Sequence, residues 1–559
     1  MDLVVVLHSH LPYVLNHGRW PHGSDWICEA AVDTYLPLLE MLGAVNVEGA
    51  ATPITLGITP ILASQLASPT FARELRIFFT QRLAACDEAI ADFGRSGEKT
   101  LTPIAEYWRG RLARLERLFD RLDGDMISAF RAHAERGRIE LISSAATHGF
   151  LPLLATDESI RFQLAAGLAE HRRLFGARAA GCWAPECAYR PRGPWAPHPA
   201  APASAMRRGI EEHLGDAGYR FFFTDSHLAQ AGRPLGLYRE PDFPDGVLLG
   251  ADDPLDLPAA RSPYRAYVVA PRTRAPQVAT LVRDPISSRR VWSRYQGYPG
   301  DGGYLEFHKI RFPGGLKFWR VTGSATDLGD KLPYDPNGAR AIAHRHGRDY
   351  ARLMNEIVRH EAAEGSVIAV PFDTELFGHW WFEGVDFLGD FYRELGRTGG
   401  PTPTTASGHL DRLPPTSAVT LAAGSWGANG DFSKWLNPAT EWTWERLWAA
   451  EARFWAGCRT SIERPADHRV LAQAGRELLL AQASDWQFII SSETAADYAT
   501  KRFIEHVDNV DRLVGALEAG ERGPEIDQVV GTLEATNDVF PDIVPSLRTA
   551  LALSGPIDP

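Results

Sequence analysis

The chain has 559 residues, 45% hydrophobic and 23% charged, which is typical of a folded globular protein and excludes a disordered or fibrous one. Its 58 Lys and Arg against 70 Asp and Glu give a formal net charge of −12, and without a long basic run we expect no nucleic acid partner. Five cysteines without CxxC spacing, no signal peptide and no apolar run of about 18 residues predict reduced thiols, a cytoplasmic location and no membrane contact.

Short apolar runs that end near a polar side chain recur along the chain and predict strands covered on both faces, as in a parallel sheet. Seven such runs occur, at Leu3–Leu7, Ile54–Ile58, Ile139–Ile142, Ala179–Trp183, Tyr219–Phe223, Val367–Phe372 and Val419–Ala423. In a (β/α) barrel the loops at the carboxyl ends of the strands carry the function, so we expect this α/β fold class. An open doubly wound sheet, which also binds ligands at strand ends, is the alternative.

Helical periodicity fills much of the remaining chain. Residues 65–136 are rich in Ala, Leu, Arg and Glu and are too long for one crossover, so we expect a helical insertion there. We expect long loops at 191–205, which is rich in Pro and Ala, and at 226–330. The sequence therefore predicts a barrel domain at 1–424 and an all-helical C-terminal domain at 425–559.

One candidate site follows the fourth predicted strand, in the segment Trp183–Cys187. Pro185 has a fixed φ and biases Ala184 away from helix, so we expect Glu186 in a rigid, extended segment. A fixed carboxylate is what nucleophilic attack on a sugar carbon requires. A glutamate in an ordinary surface turn is the alternative.

A second candidate segment, Pro371–Gly384, follows the sixth predicted strand. It contains several aromatic residues together with Asp373, Glu375, His379 and Glu383. Because burying unpaired carboxylates costs several kcal/mol each, a purely structural segment would rarely carry so many, and we interpret this one as functional.

His8 and His10 follow the first predicted strand, with a spacing that also suits metal ligands of barrel hydrolases, to which His148 and Asp225 could add. Two other interpretations are buried core histidines and a carbohydrate site. We favour the carbohydrate site, because the chain has 16 Trp residues and aromatic rings stack on the apolar faces of sugars. Candidate tryptophans near these segments are Trp26, Trp183, Trp292, Trp380, Trp381, Trp426 and Trp435.

The chain resembles glycoside hydrolase family 57, and within it the 1,4-α-glucan branching enzymes. Five segments carry the family resemblance in order: HSHLPYV at His8–Val14, GITP at Gly57–Pro60, WAPE at Trp183–Glu186, FDTELFGHWWFEG at Phe372–Gly384 and SDWQFIISS at Ser484–Ser492. Three more resemble the branching subgroup: RWPHGSDWICEA at Arg19–Ala30, VWSRYQGYPGD at Val291–Asp301 and GSWGANGDFSKW at Gly424–Trp435.

The resemblance implies an incomplete (β/α)7 barrel with a helical insertion and a helical C-terminal domain that closes over the cleft. It implies Glu186 as nucleophile and Asp373 as general acid/base of a retaining enzyme that cleaves an α-1,4 linkage and forms an α-1,6 branch. We expect apolar neighbours to raise the pKa of Asp373. By resemblance, the residues that line the substrate cleft are His8, His10, Trp26, His148, Trp292, Glu375, His379, Trp426, Trp435 and Asp485.

The implied partners are donor and acceptor α-1,4-glucan chains in glycogen biosynthesis, without a cofactor or metal. We expect a monomer and leave an oligomer open. The alternatives are an α-amylase or 4-α-glucanotransferase of the same family, a metal-dependent hydrolase, and a glycogen-binding scaffold without activity. Leu235 occupies the position of a loop tyrosine in the branching subgroup, with Tyr238 nearby, which leaves the ratio of branching to hydrolysis open.

Overall fold

The computed structural model describes residues 1–47, 52–196, 205–230, 261–269, 276–293, 297–323 and 325–552. Its strands are β1 (Asp2–Ser9), β2 (Ile54–Ile58), β3 (Ile139–Ser144), β4 (Gly181–Trp183), β5 (Gly193–Trp195), β6 (Ala205–Arg207), β7 (Phe221–Thr224), β8 (Ala266–Val269), β9 (Val278–Val282), β10 (Val367–Asp373), β11 (Thr402–Pro403) and β12 (Ala418–Val419).

The α-helices are α1 (Ser24–Ala30), α2 (Leu36–Val47), α3 (Pro60–Leu66), α4 (Pro69–Ser96), α5 (Thr102–Arg121), α6 (Met126–Glu135), α7 (Asp157–Phe175), α8 (Ile210–Ala217), α9 (Pro285–Trp292), α10 (Pro336–Glu361), α11 (Gly384–Thr398), α12 (Ala406–Arg412), α13 (Glu441–Ser461), α14 (His468–Ala481), α15 (Asp485–Ser492), α16 (Ala496–Ala519), α17 (Pro524–Thr536) and α18 (Ile543–Ala552). Helices α4 to α6 occupy the expected insertion, and α13 to α18 follow the barrel.

Parallel strands form the barrel wall in the order β10-β1-β2-β3-β4-β7-β9. The two ends of this series meet, because Arg283, directly after β9, forms a parallel bridge with Ala369 of β10. The backbone N–H of Asp284 also donates to the carbonyl of Ala369, at 2.8 Å. The sheet therefore curls into an incomplete barrel, which confirms the predicted fold class over the open doubly wound sheet.

Six of the predicted strands are barrel strands, and the prediction at Val419–Ala423 is wrong. There the structure pairs Ala418 and Val419 as the short edge strand β12, against β8. The remaining wall strand is β9, inside the segment 226–330 that we expected to be a loop. All five residues of β9 are buried, but Thr280 interrupts its apolar run and Ala279 is small, so the sequence pattern is weak.

The Pro/Ala-rich segment 191–205, expected to be a loop, has a short strand near each of its ends. Strands β5 and β6 pair antiparallel, and the β5 residue Trp195 contacts Trp448 of α13 edge to face, with ring centroids 6.0 Å apart. This insertion therefore contacts the C-terminal helices. The expected loop-tyrosine position, Leu235 with Tyr238, lies outside the described residues.

The five cysteines are buried and unpaired, in agreement with the expected reduced thiols. Within the described ranges, no helix combines the length and the apolarity that crossing a lipid bilayer requires.

Candidate active site

Alternation along the wall strands decides which side chains reach the barrel interior. The inner apolar cluster takes every second residue and includes Val4, Val6, Phe221, Phe223, Ala279, Leu281, Val367 and Ala369. Continued toward the carboxyl ends of the strands, the same alternation arrives at His8, Asp225, Arg283 and Asp373. The pattern of the strands therefore brings these four polar side chains to one end of the barrel.

Glu186 reaches this end from the turn after β4. Ala184 is extended, as the following proline requires. The expected extended conformation of Glu186 itself is wrong, because this residue has φ 60° and ψ 24°, in the left-handed region. Its carbonyl accepts a hydrogen bond from the backbone N–H of Trp426 at 3.0 Å. Such a conformation costs free energy in a residue other than glycine and is found mainly where surrounding contacts enforce it.

The Glu186 carboxylate is bound by residues from beyond the barrel strands. Trp426 Nε1 donates to Oε2 at 2.8 Å, and Ser484 Oγ donates to Oε1 at 3.4 Å. His148 Nδ1 lies 3.8 Å from Oε1. Burial raises the pKa of Glu186 to about 7, although the hydrogen bond from Trp426 opposes this rise.

Asp373 is the last residue of β10 and lies in register with His8 of β1. Burial raises the pKa of Asp373 well above its ordinary value, the charges of Glu375 and Glu186 raise it further, and Arg283 lowers it. The predicted direction is confirmed, but neighbouring carboxylates contribute to it besides burial. The electrostatic interaction of Asp373 with Glu186 indicates that the two carboxyl groups belong to one site.

A stack of histidines lies beside these carboxyl groups. His8 Nε2 and His148 Nε2 are 3.0 Å apart, and His148 Nδ1 is 2.9 Å from Ser484 Oγ. His10 stacks on His148 and pairs with Asp485, with its Nε2 2.9 Å from Oδ2. Burial lowers the pKa of His8 and of His148. Burial also lowers the pKa of His10, but the charge and hydrogen bond of Asp485, together with the charges of Glu186 and Glu375, outweigh it and raise the pKa. In this stack His8 and His148 therefore favour the neutral form, whereas His10 favours its protonated form.

The side chains that could hold a metal are engaged by other partners. Asp225, which the metal alternative needs, binds Arg283 Nη1 at 3.0 Å and lies beside His227. Among the described residues, no three His, Cys, Asp or Glu side chains converge as a ligand set.

Aromatic rings line the same end of the barrel. Trp426 contacts Trp292 edge to face, with ring centroids 5.7 Å apart, and Trp183 at 4.9 Å. Trp435 is buried and stacks on Phe150 at 4.5 Å, so it supports the wall from behind and presents no open face. Of these rings, Trp292 and Trp426 are only partly buried and can contact a ligand.

Three further residues predicted for the site, Glu375, His379 and Trp26, lie in different surroundings from one another. Glu375 is buried, accepts hydrogen bonds from the Tyr35 hydroxyl and from the backbone N–H of His10, and so supports the loop after β1. His379 lies beside Asp33, with Nδ1 3.9 Å from Oδ2, and no contact among the described residues joins it to Glu186. Trp26 lies on α1, partly buried against the core.

Sequence reasoning missed Arg283 and Ser484 as partners of the two carboxyl groups. Arg283 follows the strand that the pattern did not reveal. Ser484 begins the SDWQFIISS segment, where only Asp485 was singled out. Because this segment carries the family resemblance, the position of Ser484 within it could have identified this residue from the sequence.

The chain is similar to known proteins over nearly its whole length. The model of glycosyl hydrolase family 57 matches residues 4–422, and that of the 1,4-alpha-glucan branching enzyme C-terminal domain matches residues 447–547. The 1,4-alpha-glucan branching enzyme TK1436 of Thermococcus kodakarensis is 36% identical over 547 residues, 97% of this chain and 78% of the relative.

Two solved structures are also similar. The crystal structure of the branching enzyme of the same family from Pyrococcus horikoshii has a TM-score of 0.87 and 33% identity, covering 100% of this chain and 98% of that one. The α-amylase AmyC from Thermotoga maritima has a TM-score of 0.77 and 26% identity, covering 98% of each chain.

Proposed function

The chain belongs to glycosyl hydrolase family 57, and on this premise we propose that it is a 1,4-α-glucan branching enzyme. It cleaves an α-1,4 linkage in one glucan chain and transfers the released segment to a 6-hydroxyl to form an α-1,6 branch. The proposal rests on one observation of the structure: Trp426 and Ser484, which lie beyond the barrel strands, bind the candidate nucleophile Glu186. The match to the model of the branching-enzyme C-terminal domain supports it.

The proposed mechanism is a retaining double displacement. Asp373 protonates the glycosidic oxygen, which leaves while Glu186 attacks the anomeric carbon to form a glycosyl-enzyme. Asp373 then removes the proton of the incoming 6-hydroxyl, whose oxygen attacks the anomeric carbon and releases the Glu186 carboxylate. Such enzymes hold their two carboxyl groups about 5–5.5 Å apart. The electrostatic interaction of Asp373 with Glu186, and the raised pKa of Asp373, which favours a protonated carboxyl group, support this division of roles.

The proposed substrate cleft surrounds these two carboxyl groups. Its polar side chains would bind glucosyl hydroxyls, and Trp292 and Trp426 would stack on sugar faces. The further residues that we propose for the cleft and its walls are His8, His10, Trp26, His148, Glu375, His379, Trp435 and Asp485. We also propose a barrel domain at 1–424, a helical domain at 425–559, a cytoplasmic location and a role in glycogen synthesis.

An α-amylase is the second candidate, because the similarity to AmyC extends over 98% of the chain. The same carboxyl groups would hydrolyse glucan if water reached the glycosyl-enzyme. Amylose treated with the protein and then with a debranching enzyme separates the two activities. We expect iodine staining to fade with little release of reducing ends, and debranching then to free short chains. A parallel rise in reducing ends without debranchable product would overturn branching.

The pH dependence of kcat/KM should be bell-shaped. Glu186 must be ionised to attack, and because burial raises its pKa to about 7, activity should fall as the pH drops below that value. Asp373 must be protonated, so its raised pKa sets the alkaline limb. Initial rates on amylose across the pH range, with circular dichroism to confirm folding, measure both limbs. An acid limb near pH 4.5, the ordinary glutamate value, would contradict this prediction.

Replacing Trp426 with Phe should lower kcat about 10- to 100-fold, because misplacing a reacting group has effects of this order. The variant keeps an aromatic face but removes the Nε1 donor to Glu186 Oε2. Trp442→Phe is the matched control, since Trp442 Nε1 donates to the Ala439 carbonyl at the start of α13. Steady-state kinetics on amylose test this, and equal kcat values for the two variants would show that the donor is dispensable.

A further inference from the structure

Arg283 is a buried cation at the seam of the barrel. Its backbone N–H donates to the carbonyl of Thr224 on β7 at 2.9 Å, and the residue bridges to Ala369 on β10. Asp284, the next residue, caps α9 by accepting from Ile286 N and Ser287 N. The backbone of Arg283 is thus held from both sides, and its side chain is only 7% exposed.

The guanidinium group of Arg283 lies over two tryptophans of the site, which themselves contact each other edge to face. Its Cζ is 5.5 Å from the ring centroid of Trp292 and 5.5 Å from that of Trp426. Nη1 donates to Asp225 Oδ2 at 3.0 Å, which limits rotation of the group. A cation within about 6 Å of an aromatic ring centroid is attracted to the ring, and a guanidinium makes such contacts more often than an ammonium group does.

Arg283 is thereby connected to the candidate nucleophile through a single residue. Trp426, which it contacts, donates to Glu186 through its indole nitrogen and through its backbone. Arg283 Nε is buried without a hydrogen-bond partner among the described residues. Leaving a buried donor unsatisfied is costly and would be unfavourable at a position with only a packing role.

We propose that Arg283 is a positioning residue for the transfer reaction: it holds Trp292 and Trp426 so that Trp426 aligns Glu186, and its positive charge acts on Asp373. This inference rests on the proposed function. The charged or titratable groups that interact with Asp373 are Glu375 on its own loop, Glu186 and Cys187 after β4, and Arg283 after β9. Arg283 is the cation among them.

Two substitutions distinguish the contact of Arg283 with the two tryptophans from the effect of its positive charge. Arg283→Met keeps an unbranched, apolar side chain but removes both the charge and the planar fork. Arg283→Lys keeps a positive charge and loses the fork that holds the two rings. Arg290→Met, at an exposed position of α9, is the matched control.

The test measures kcat, KM and the pH profile of chain transfer on amylose for the full-length variants, with circular dichroism to confirm folding. For Arg283→Met we expect a fall in kcat of about 100-fold with little change in KM, as for a misaligned reacting group. Its alkaline limb should move to higher pH, because the cation that opposes the raised pKa of Asp373 is absent. Arg283→Lys should lower kcat while its alkaline limb stays in place, and Arg290→Met should behave as the wild type.

Wild-type kcat and pH profile in Arg283→Met would overturn the inference while leaving the branching function intact. Equal loss of kcat in the Lys and Met variants, with neither alkaline limb displaced, would also overturn it, because that pattern indicates structural support alone. If Arg283→Met does not fold, the Lys variant decides: kcat equal to that of the wild type overturns the positioning role. Absence of chain transfer in the wild-type protein would instead refute the proposed function.

Discussion

Glu186→Gln should abolish chain transfer, with kcat reduced by about 10⁴-fold or more, as when a covalent nucleophile is removed from other hydrolases. Glutamine has the same size as glutamate, and its carbonyl can still accept the hydrogen bond from Trp426 Nε1. It cannot form the glycosyl-enzyme. The loss would therefore report on chemistry and not on packing, and kinetics on amylose with the purified variant measure it.

Glu383→Gln is the matched control for this substitution. The pKa of Glu383 is also raised by burial to about 7. Its Oε1 accepts hydrogen bonds from Leu305 N and the Tyr334 hydroxyl, whereas its Oε2 has no partner among the described residues, so an amide fits in place of the carboxylate. We expect this variant to retain activity. Substantial transfer by Glu186→Gln would show that another residue is the nucleophile.

Asp373→Asn should have the second largest effect, a fall in kcat on amylose of about 10²- to 10⁴-fold, the usual contribution of a general acid/base. A sugar alkoxide leaves poorly without a proton, whereas fluoride needs little protonation. With a maltooligosaccharyl fluoride the first step should therefore persist. The second step still lacks its base, so the glycosyl-enzyme should accumulate on Glu186, where intact-protein mass spectrometry can detect it.

Azide provides a further test of this variant, because it attacks the glycosyl-enzyme without base assistance. We expect azide to restore turnover of the fluoride donor and to yield a product of retained configuration. Asp386→Asn is the control, since Asp386 lies exposed on α11 and pairs with Arg340. No accumulated adduct and no azide rescue in Asp373→Asn would argue against the acid/base role.

Much of the barrel could be predicted from local sequence, because a strand buried on both faces must be apolar along its length. The runs at β1 and β10 and the polar residues that end them, His8 and Asp373, followed from this rule. Strand β9 did not, since Thr280 and Ala279 reduce its apolar contrast although both side chains are buried. Because β9 was not predicted, Arg283, which directly follows this strand, was not predicted as a site residue either.

Aromatic content was a weaker guide to the site than strand position. It drew attention to Trp426, which contacts Glu186, but the same reasoning selected Trp435, which is buried against Phe150. Composition alone does not distinguish a tryptophan in the core from a tryptophan in a binding cleft. Only the surrounding structure distinguishes an open ring face from a covered one.

Local sequence patterns predicted six of the seven strands of the barrel wall and the carboxyl groups that follow β4 and end β10, because alternation and strand termination depend on neighbours along the chain. The tertiary structure alone decided how those carboxyl groups behave. Glu186 meets Trp426 and Ser484 across separations of 240 and 298 residues. Burial and charge at Asp373 likewise arise from strands that are distant in sequence, and a pKa responds to distances in space and not to position along the chain.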